Sequence, residues 1–257
     1  FMLRRRKSDV CKELPPKQEQ LLFCEMENGQ RALYERMEEE ARRQCDLLRK
    51  GDKGVTRVHV LASLMRLRQI CCDPRLLPDG GGENVASAKT ELLIELLNET
   101  LDSGHKVLLF SQFTSMLKLV RGHLDAQGVR YEYLDGSTRD RTQRVEAFNR
   151  NGDVRLFLLS LKAGGLGLNL TSADTVILFD PWWNPAIEDQ AADRTHRIGQ
   201  TKSVNCIRLA VKNSIEERVL ELHERKRALF DALVEDSTDA LSSLSVEDFE
   251  FLLGGKD

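Results

Sequence analysis

Nowhere do the 257 residues hold an apolar run approaching the roughly 20 that a membrane-spanning helix needs. No secretory leader is recognisable: FMLRRRKSDV is charged and has no long apolar core. The six cysteines, at 11, 24, 45, 71, 72 and 206, include no CxxC pair and no histidine at zinc-ligand spacing. They read as reduced thiols of an intracellular protein. No internal repeat is visible. Two more absences concern chemistry. There is no GxxxxGK[ST] string, so no loop built to cradle nucleotide phosphates. No Asp-Glu dipeptide ends a strand to hold a magnesium ion and orient water. Membrane proteins, disulfide scaffolds, collagens and disordered chains are excluded. What remains, 41% apolar and 31% charged, is a helix-rich globular composition of one large or two small domains.

The net charge of −3 hides an asymmetry. Residues 231–257 carry eight acidic groups against one lysine, a net of −7, which leaves the rest at +4. A mildly basic body with an acidic tail is compatible with a polyanionic partner.

The chain changes texture near residue 88. Before it, the pattern predicts helix throughout, with Tyr34, Met37, Ala41, Cys45 and Leu48 on one face and Leu61, Leu64, Leu67 or Arg68, and Cys71 repeating the spacing. Beyond it, short apolar runs alternate with helical patterns: KVLLFS (106–111), YEYL (131–134), VRLFLLS (154–160), DTVILFD (174–180) and VNCIRLAV (204–211). Strands separated by helices predict βαβ units and a parallel sheet, hence an α/β fold. Residues 214–234 read as one helix opened by a Ser214–Glu217 capping box, and a short helical pattern surrounds Phe249.

Ligands of an open parallel sheet bind beyond the carboxyl ends of its strands. Four such ends are unusual: Ser111-Gln112-Phe113, Asp135-Gly136-Ser137-Thr138, Ser160 through Leu170 with three glycines, and Asp180-Pro181-Trp182-Trp183-Asn184-Pro185. The glycines suit either a plain tight turn or a backbone that approaches phosphate closely. The tryptophans suit either core or an exposed loop. QAADRTHRIGQ (190–200) is the sharpest signal. Read as a helix, it puts Gln190, Arg194 and Arg197 on one face. Such a pair is either a solvated surface or a set of planar cations aimed at the charge of a transferred phosphoryl group. His196 reads as structural. Arginines of this kind without a phosphate loop or metal ligands cannot complete a nucleotide site alone. That, with a start at Phe1 rather than Met, reads as part of a longer protein.

Taken together, KVLLFSQF, YLDGST with Phe148-Asn149, SLKAGGLGLNL, ADTVILFDPWWNP and QAADRTHRIGQ resemble, in order and spacing, the last conserved motifs of the Swi/Snf family of superfamily 2 ATPases. FMLRRRKSDVCKELPPK resembles the segment by which that family enters its second half. The resemblance covers about residues 1–235. It implies a second RecA-like lobe, a parallel sheet flanked by helices, with an N-terminal helical protrusion. The implied layout is 1–88 protrusion, 89–235 lobe with a brace helix at 214–235, and 236–257 acidic tail. A first lobe would supply the phosphate loop and hold ATP with its Mg2+. The resemblance implies hydrolysis of ATP, movement along double-stranded DNA and remodelling of protein–DNA complexes, with the isolated lobe inactive. Arg194 and Arg197 match paired arginines that approach the phosphates. Gln190, Gly165 and Gly167 match positions beside the nucleotide. Ser111, Gln112, Ser160, Lys162 and Trp183 are assigned to the nucleic acid, with Arg141 at the start of its helix, although the stretch from Asp135 to Phe148 is shorter than in many eukaryotic members. A strand-separating or RNA helicase lobe is the alternative within the class; a Rossmann-like binding module without catalysis is the alternative outside it. The lean chain, without basic extensions, points to a bacterial cytoplasm or nucleoid rather than a nucleus.

Overall fold

The computed structural model describes residues 14–78, 80–164, 167–232 and 244–254. Six strands, β1 (Lys17–Cys24), β2 (Val107–Ser111), β3 (Tyr131–Leu134), β4 (Leu156–Ser160), β5 (Thr175–Leu178) and β6 (Val204–Val211), form one sheet in the order β1-β6-β5-β2-β4-β3. The helices are α1 (Asn28–Arg49), α2 (Arg57–Cys72), α3 (Ala88–Asp102), α4 (Thr114–Ala126), α5 (Arg141–Arg150), α6 (Leu161–Gly164), α7 (Pro185–Ala192), α8 (Ile215–Ala232) and α9 (Val246–Leu252). β2 pairs in parallel with β4 and β5, and β4 with β3. Every residue of β2, β4 and β5 is buried, as strands covered on both faces must be. Each Leu, Ile or Val so removed from water contributes about 1.5–3 kcal/mol. The parallel, helix-flanked sheet matches the expected RecA-like architecture.

Two local expectations fail. Residues 17–24 were predicted helical with the rest of the N-terminal region; they form the edge strand β1. Carbonyls along it accept from the β6 side at constant offset, with Val204 N–H donating to Pro16 O (3.1 Å) and Lys212 N–H to Cys24 O (2.9 Å). KQEQLLFC has no strand signal of its own, because an edge strand with most positions exposed needs no apolar alternation. The Ser214–Glu217 box is not closed either. The Ser214 hydroxyl donates to Val211 O (2.7 Å) and accepts Glu216 N–H (3.1 Å), while Glu217 takes the N–H of Asn213 (2.7 Å). Asn213, at φ 51°, turns the chain into α8 in the left-handed region. Residues 233 and 234, the predicted end of that helix, lie outside the described residues, as do residues 236–243 and 255–257 of the acidic tail and the first thirteen residues.

Two compact units emerge, each assembled from separated segments of the chain. The sheet unit comprises residues up to Gln20, Leu97–Leu178 and Asp189–Ile207. The helical unit comprises Leu21–Leu96, Phe179–Glu188 and Arg208 onward. Its core gathers Tyr34, Ala41, Cys45, Leu64, Leu67 and Cys71 with Ile215, Val219, Phe249 and Leu252. The predicted α1 and α2 stripes face that core, with Met37, Leu48 and Leu61 half-buried at its margin.

Candidate functional site

The site elements of the sheet unit follow from register. Ser111 pairs with Ser160, and Leu134 with Leu159, so β2, β3 and β4 end level and their loops open on one edge. The β3 loop is tied by Asp135, which accepts the N–H of Ser137 (2.9 Å) and the hydroxyls of Ser137 (2.7 Å) and Tyr133 (2.8 Å). Those bonds, led by the Ser137 hydroxyl, bring the Asp135 carboxyl down to about 2. Arg141, first residue of α5, folds back on this loop and donates to Thr138 O (2.9 Å) and Gly136 O (3.1 Å). Lys162 is exposed just beyond β4, and Gln112 is half-buried beyond β2.

The arginine segment is not the helix expected. α7 ends at Ala192, and residues 193–199 run on as successive tight turns. The N–H groups of Arg194 and Thr195 reach back three residues, to Ala191 O and Ala192 O (both 3.2 Å), and that of Arg197 only two, to Thr195 O (3.1 Å). Gly199, at φ 103°, takes a backbone conformation that side-chain-bearing residues rarely adopt. A helix would leave this segment pointing along its axis; the turns instead lay it against the glycine loop. Leu170 N–H donates to Arg194 O (3.2 Å), and the Arg197 guanidinium reaches Gly167 O and Leu168 O (both 3.5 Å). Gly167, at φ 71°, also uses a glycine-favouring conformation. Arg194 is half-buried and Arg197 exposed. Burial, and after it the positive charge of Arg197, lower the Arg194 pKa. Burial and a like charge both work against the charged guanidinium, and an anion placed beside it would offset them. Gln190 is exposed on the last turn of α7. His196 is structural as expected, its Nε2 donating to Pro15 O (2.8 Å).

Three of the residues assigned to nucleic acid are placed elsewhere. Ser111 has no solvent exposure, and its hydroxyl accepts Phe113 N–H (3.1 Å). Ser160 is buried at the end of β4, its hydroxyl facing Ala163 N–H (3.4 Å). Both hydroxyls shape the turns that follow their strands. Trp183, 3% exposed, belongs to the core of the helical unit, where the Arg68 guanidinium lies 4.8 Å from its ring centre. Indole burial outweighs display on the loop. Gly165 lies outside the described residues.

Sequence reasoning missed Gln200, which is buried and braces the arginine turns. Its amide nitrogen donates to Ala173 O (2.8 Å) and Thr195 O (3.2 Å), and its oxygen accepts the N–H groups of Thr201 and Lys202 (both 2.9 Å). Its position as last letter of the QAADRTHRIGQ string was the available signal. Asn149 was quoted but given no role. Its side chain donates to Asn169 O (3.0 Å) and accepts the Ser172 hydroxyl (2.8 Å), tying α5 to the far end of the glycine loop. Among the described residues no three His, Cys, Asp or Glu side chains are grouped to hold a metal ion, and no helix is long and apolar enough to cross a membrane.

A parallel sheet whose strand-end loops share one edge, closed by an arginine pair against a glycine loop, defines a RecA-like helicase C-terminal lobe. Residues 88–199 match the helicase conserved C-terminal domain, and residues 1–76 the SNF2-related domain. The C-terminal domain of the Sulfolobus solfataricus SWI2/SNF2 ATPase superposes with a TM-score of 0.72 at 30% identity, over 94% of this chain and 100% of that one. The S. solfataricus SWI2/SNF2 ATPase core in complex with dsDNA gives 0.75 at 33% identity, over 98% of this chain and 53% of that one. In sequence, the SWI/SNF chromatin-remodeling complex subunit snf22 of Schizosaccharomyces pombe is 41% identical over 241 residues, 88% of this chain and 14% of that protein. An uncharacterized ATP-dependent helicase of Mycoplasma pneumoniae is 37% identical over 250 residues, 96% of this chain and 24% of that protein. The chain thus spans between 14% and 24% of the length of these curated relatives. It belongs to the SWI2/SNF2 ATPase family and has the fold of that family's C-terminal lobe.

Proposed function

We propose that this chain is the second motor lobe of an ATP-dependent translocase that moves on double-stranded DNA and remodels protein–DNA complexes. The observation that carries the reading is the meeting of the Arg194–Arg197 turns with the Gly167 loop at the carboxyl edge of the sheet. As the γ-phosphoryl group leaves ATP, negative charge gathers on its oxygens. Guanidinium groups already in place stabilise that charge more in the transition state than in the ground state. Gly167 is assigned to the same nucleotide wall, and Gln190 and Gly165 are assigned to it by the family resemblance alone. The first lobe of the same polypeptide supplies the phosphate loop opposite. The magnesium ion that accompanies ATP is assigned to that first lobe. DNA contacts fall to Gln112, Lys162 and Arg141; contacts of these kinds to phosphates position a protein without reading sequence. The chain alone, with one wall of the site, does not turn over ATP.

The test is Arg194→Ala and Arg197→Ala in the full-length protein, by steady-state ATP hydrolysis with and without duplex DNA. Each is expected to lower DNA-stimulated hydrolysis by on the order of 10³-fold. DNA affinity and circular dichroism should stay near wild type. Lysine should rescue neither position, because a point charge on a flexible stem lacks the planar fork. Hydrolysis within about twofold of wild type in both alanine variants refutes the assignment, since that is the range of a solvated surface charge.

A further inference from the structure

We propose that Gln200, the last residue of the QAADRTHRIGQ string, is a positioning residue for ATP hydrolysis. Its buried amide joins the Arg194–Arg197 turns and the end of the glycine loop in one closed circuit of hydrogen bonds, and it acts on the reaction through those arginines. The inference rests on the reading of the arginines given above.

Gln200 is 7% exposed, so the polar atoms of its side chain need protein partners. A carboxamide offers two N–H donors and an oxygen that accepts twice, and here all of that capacity is used. The donors go to Ala173 O and Thr195 O, and the oxygen takes the N–H groups of Thr201 and Lys202. Thr195 O is a carbonyl that lies between the two arginines in the chain. Ala173, just ahead of β5, donates its own N–H to Leu170 O (3.1 Å), and Leu170 N–H donates to Arg194 O (3.2 Å). The path runs from Gln200 through Ala173, Leu170 and Arg194 and returns through Thr195. Leu170, Ala173 and Thr195 have no solvent exposure. The backbone of Gln200 adds a further bond, its N–H donating to Arg197 O (2.9 Å). One residue thus holds a carbonyl on each side of His196. Every member of the circuit lies in the sheet unit.

The arginine turns depend on such bonds. In a helix each N–H reaches the carbonyl four residues back, and the ladder supports itself. The N–H groups of Arg194, Thr195 and Arg197 reach back only three or two residues, so the heading of the arginines is set by bonds from elsewhere in the unit. Packing alone does not call for a glutamine. Methionine fills a similar volume, but it donates nothing to Ala173 O or Thr195 O. What the amide supplies is a fixed separation between those two carbonyls, and so between the glycine loop and the arginines. The Arg197 guanidinium, 3.5 Å from Gly167 O and Leu168 O, is set by the same frame. A displacement of about 1 Å at a reacting phosphoryl group is enough to cost on the order of 10²-fold in rate.

The experiment uses the full-length protein with Gln200→Met, Gln200→Asn, Arg194→Ala and the double variant Gln200→Met/Arg194→Ala. Asparagine keeps the amide but is a methylene short and cannot span both carbonyls. Thermal melting, kcat per folded molecule and KM for ATP are measured with saturating duplex DNA. Both single Gln200 variants are expected to melt within several degrees of wild type. Their kcat is expected to fall about 10- to 100-fold, with KM for ATP within about threefold. The double variant is expected to lose little beyond Arg194→Ala, because groups that act as a unit are not additive. A kcat within about twofold of wild type in Gln200→Met overturns the inference. Gln200→Asn carries the comparison if Gln200→Met melts early; if neither is folded at the assay temperature, Gln200 serves folding alone and the inference falls too. A loss that appears in KM instead, or a double variant as slow as the product of the two single effects, also overturns it. If Arg194→Ala is inactive while the Gln200 variants keep the wild-type kcat, only this inference falls. If Arg194→Ala is itself active, the proposed function falls with it.

Discussion

Removing the charge of Lys89 tests how the helical unit is held together. Lys89, in the first turn of α3, and Glu216, in the first turn of α8, have no solvent exposure. Lys89 Nζ lies 2.7 Å from both carboxylate oxygens of Glu216, and 4.8 Å from the centre of the Phe179 ring. Glu216 also accepts Val211 N–H at 3.0 Å. Burial works against the charged lysine, yet Glu216 and its neighbours hold the Lys89 pKa above its usual value; burial raises that of Glu216, with Lys89 pulling it down. Lys89→Met leaves a carboxylate in a dry site without its cation. For fully buried pairs such a loss costs about 3–5 kcal/mol, against about 0–1 kcal/mol for an exposed pair. In a chain of this size that lowers the melting temperature by roughly 10 °C. Glu216 without Lys89 would have a folded pKa raised further above its ordinary 4.5. The penalty should therefore be small near that value and grow as pH rises through the raised folded pKa. Lys89→Met/Glu216→Gln should recover most of the loss. Urea unfolding followed by circular dichroism, on the single and double variants at two pH values, measures all of this. A single-variant cost under about 1 kcal/mol at pH 7, or one that shrinks as pH rises, would refute the reasoning.

Two further outcomes can be read with the same unfolding assay. Burial pushes the His223 imidazole down to about 4, against the upward pull of the Trp182 and Trp183 backbone. The unfolded chain takes up a proton below about 6.5 that the folded one refuses, so stability is full above that pH and falls by up to about 3 kcal/mol as pH drops toward 4. His223→Gln should flatten this slope, and an unchanged slope would count against it. Gly82→Ala would put a Cβ 2.2 Å from Pro74 O and should cost about 1–3 kcal/mol, whereas Gly81→Ala meets nothing within 4 Å and should stay within about 0.5 kcal/mol. Equal costs at the two glycines would contradict the packing seen around Pro74.

The strands VLLFS, LFLLS and TVIL were legible because a buried parallel strand carries its own signature, a short apolar run bounded by turn residues. So was the gathering of the loops after β2, β3 and β4 on one edge of the sheet. The conformation of Arg194 and Arg197 was not. A spacing of four and three residues fits a helix, and nothing local announces that α7 stops at Ala192; the turns are held by Leu170 N–H and by Gln200, bonds made across the fold.

The same division runs through the whole protein. Sequence by itself determined which segments are apolar enough to be core and which loops hold glycine, hydroxyl and arginine groups, because composition and periodicity are properties of neighbouring residues. Only the tertiary structure decided that KQEQLLFC is a strand, since its hydrogen bonds belong to β6. It alone decided that Trp183 and Ser111 are interior and that Arg68 is a core residue rather than a break in a stripe. A charged side chain can be buried only where distant partners neutralise it, and for Arg68 those partners are Asp180, Pro181 and the two tryptophans, brought together by folding and by nothing in the local sequence.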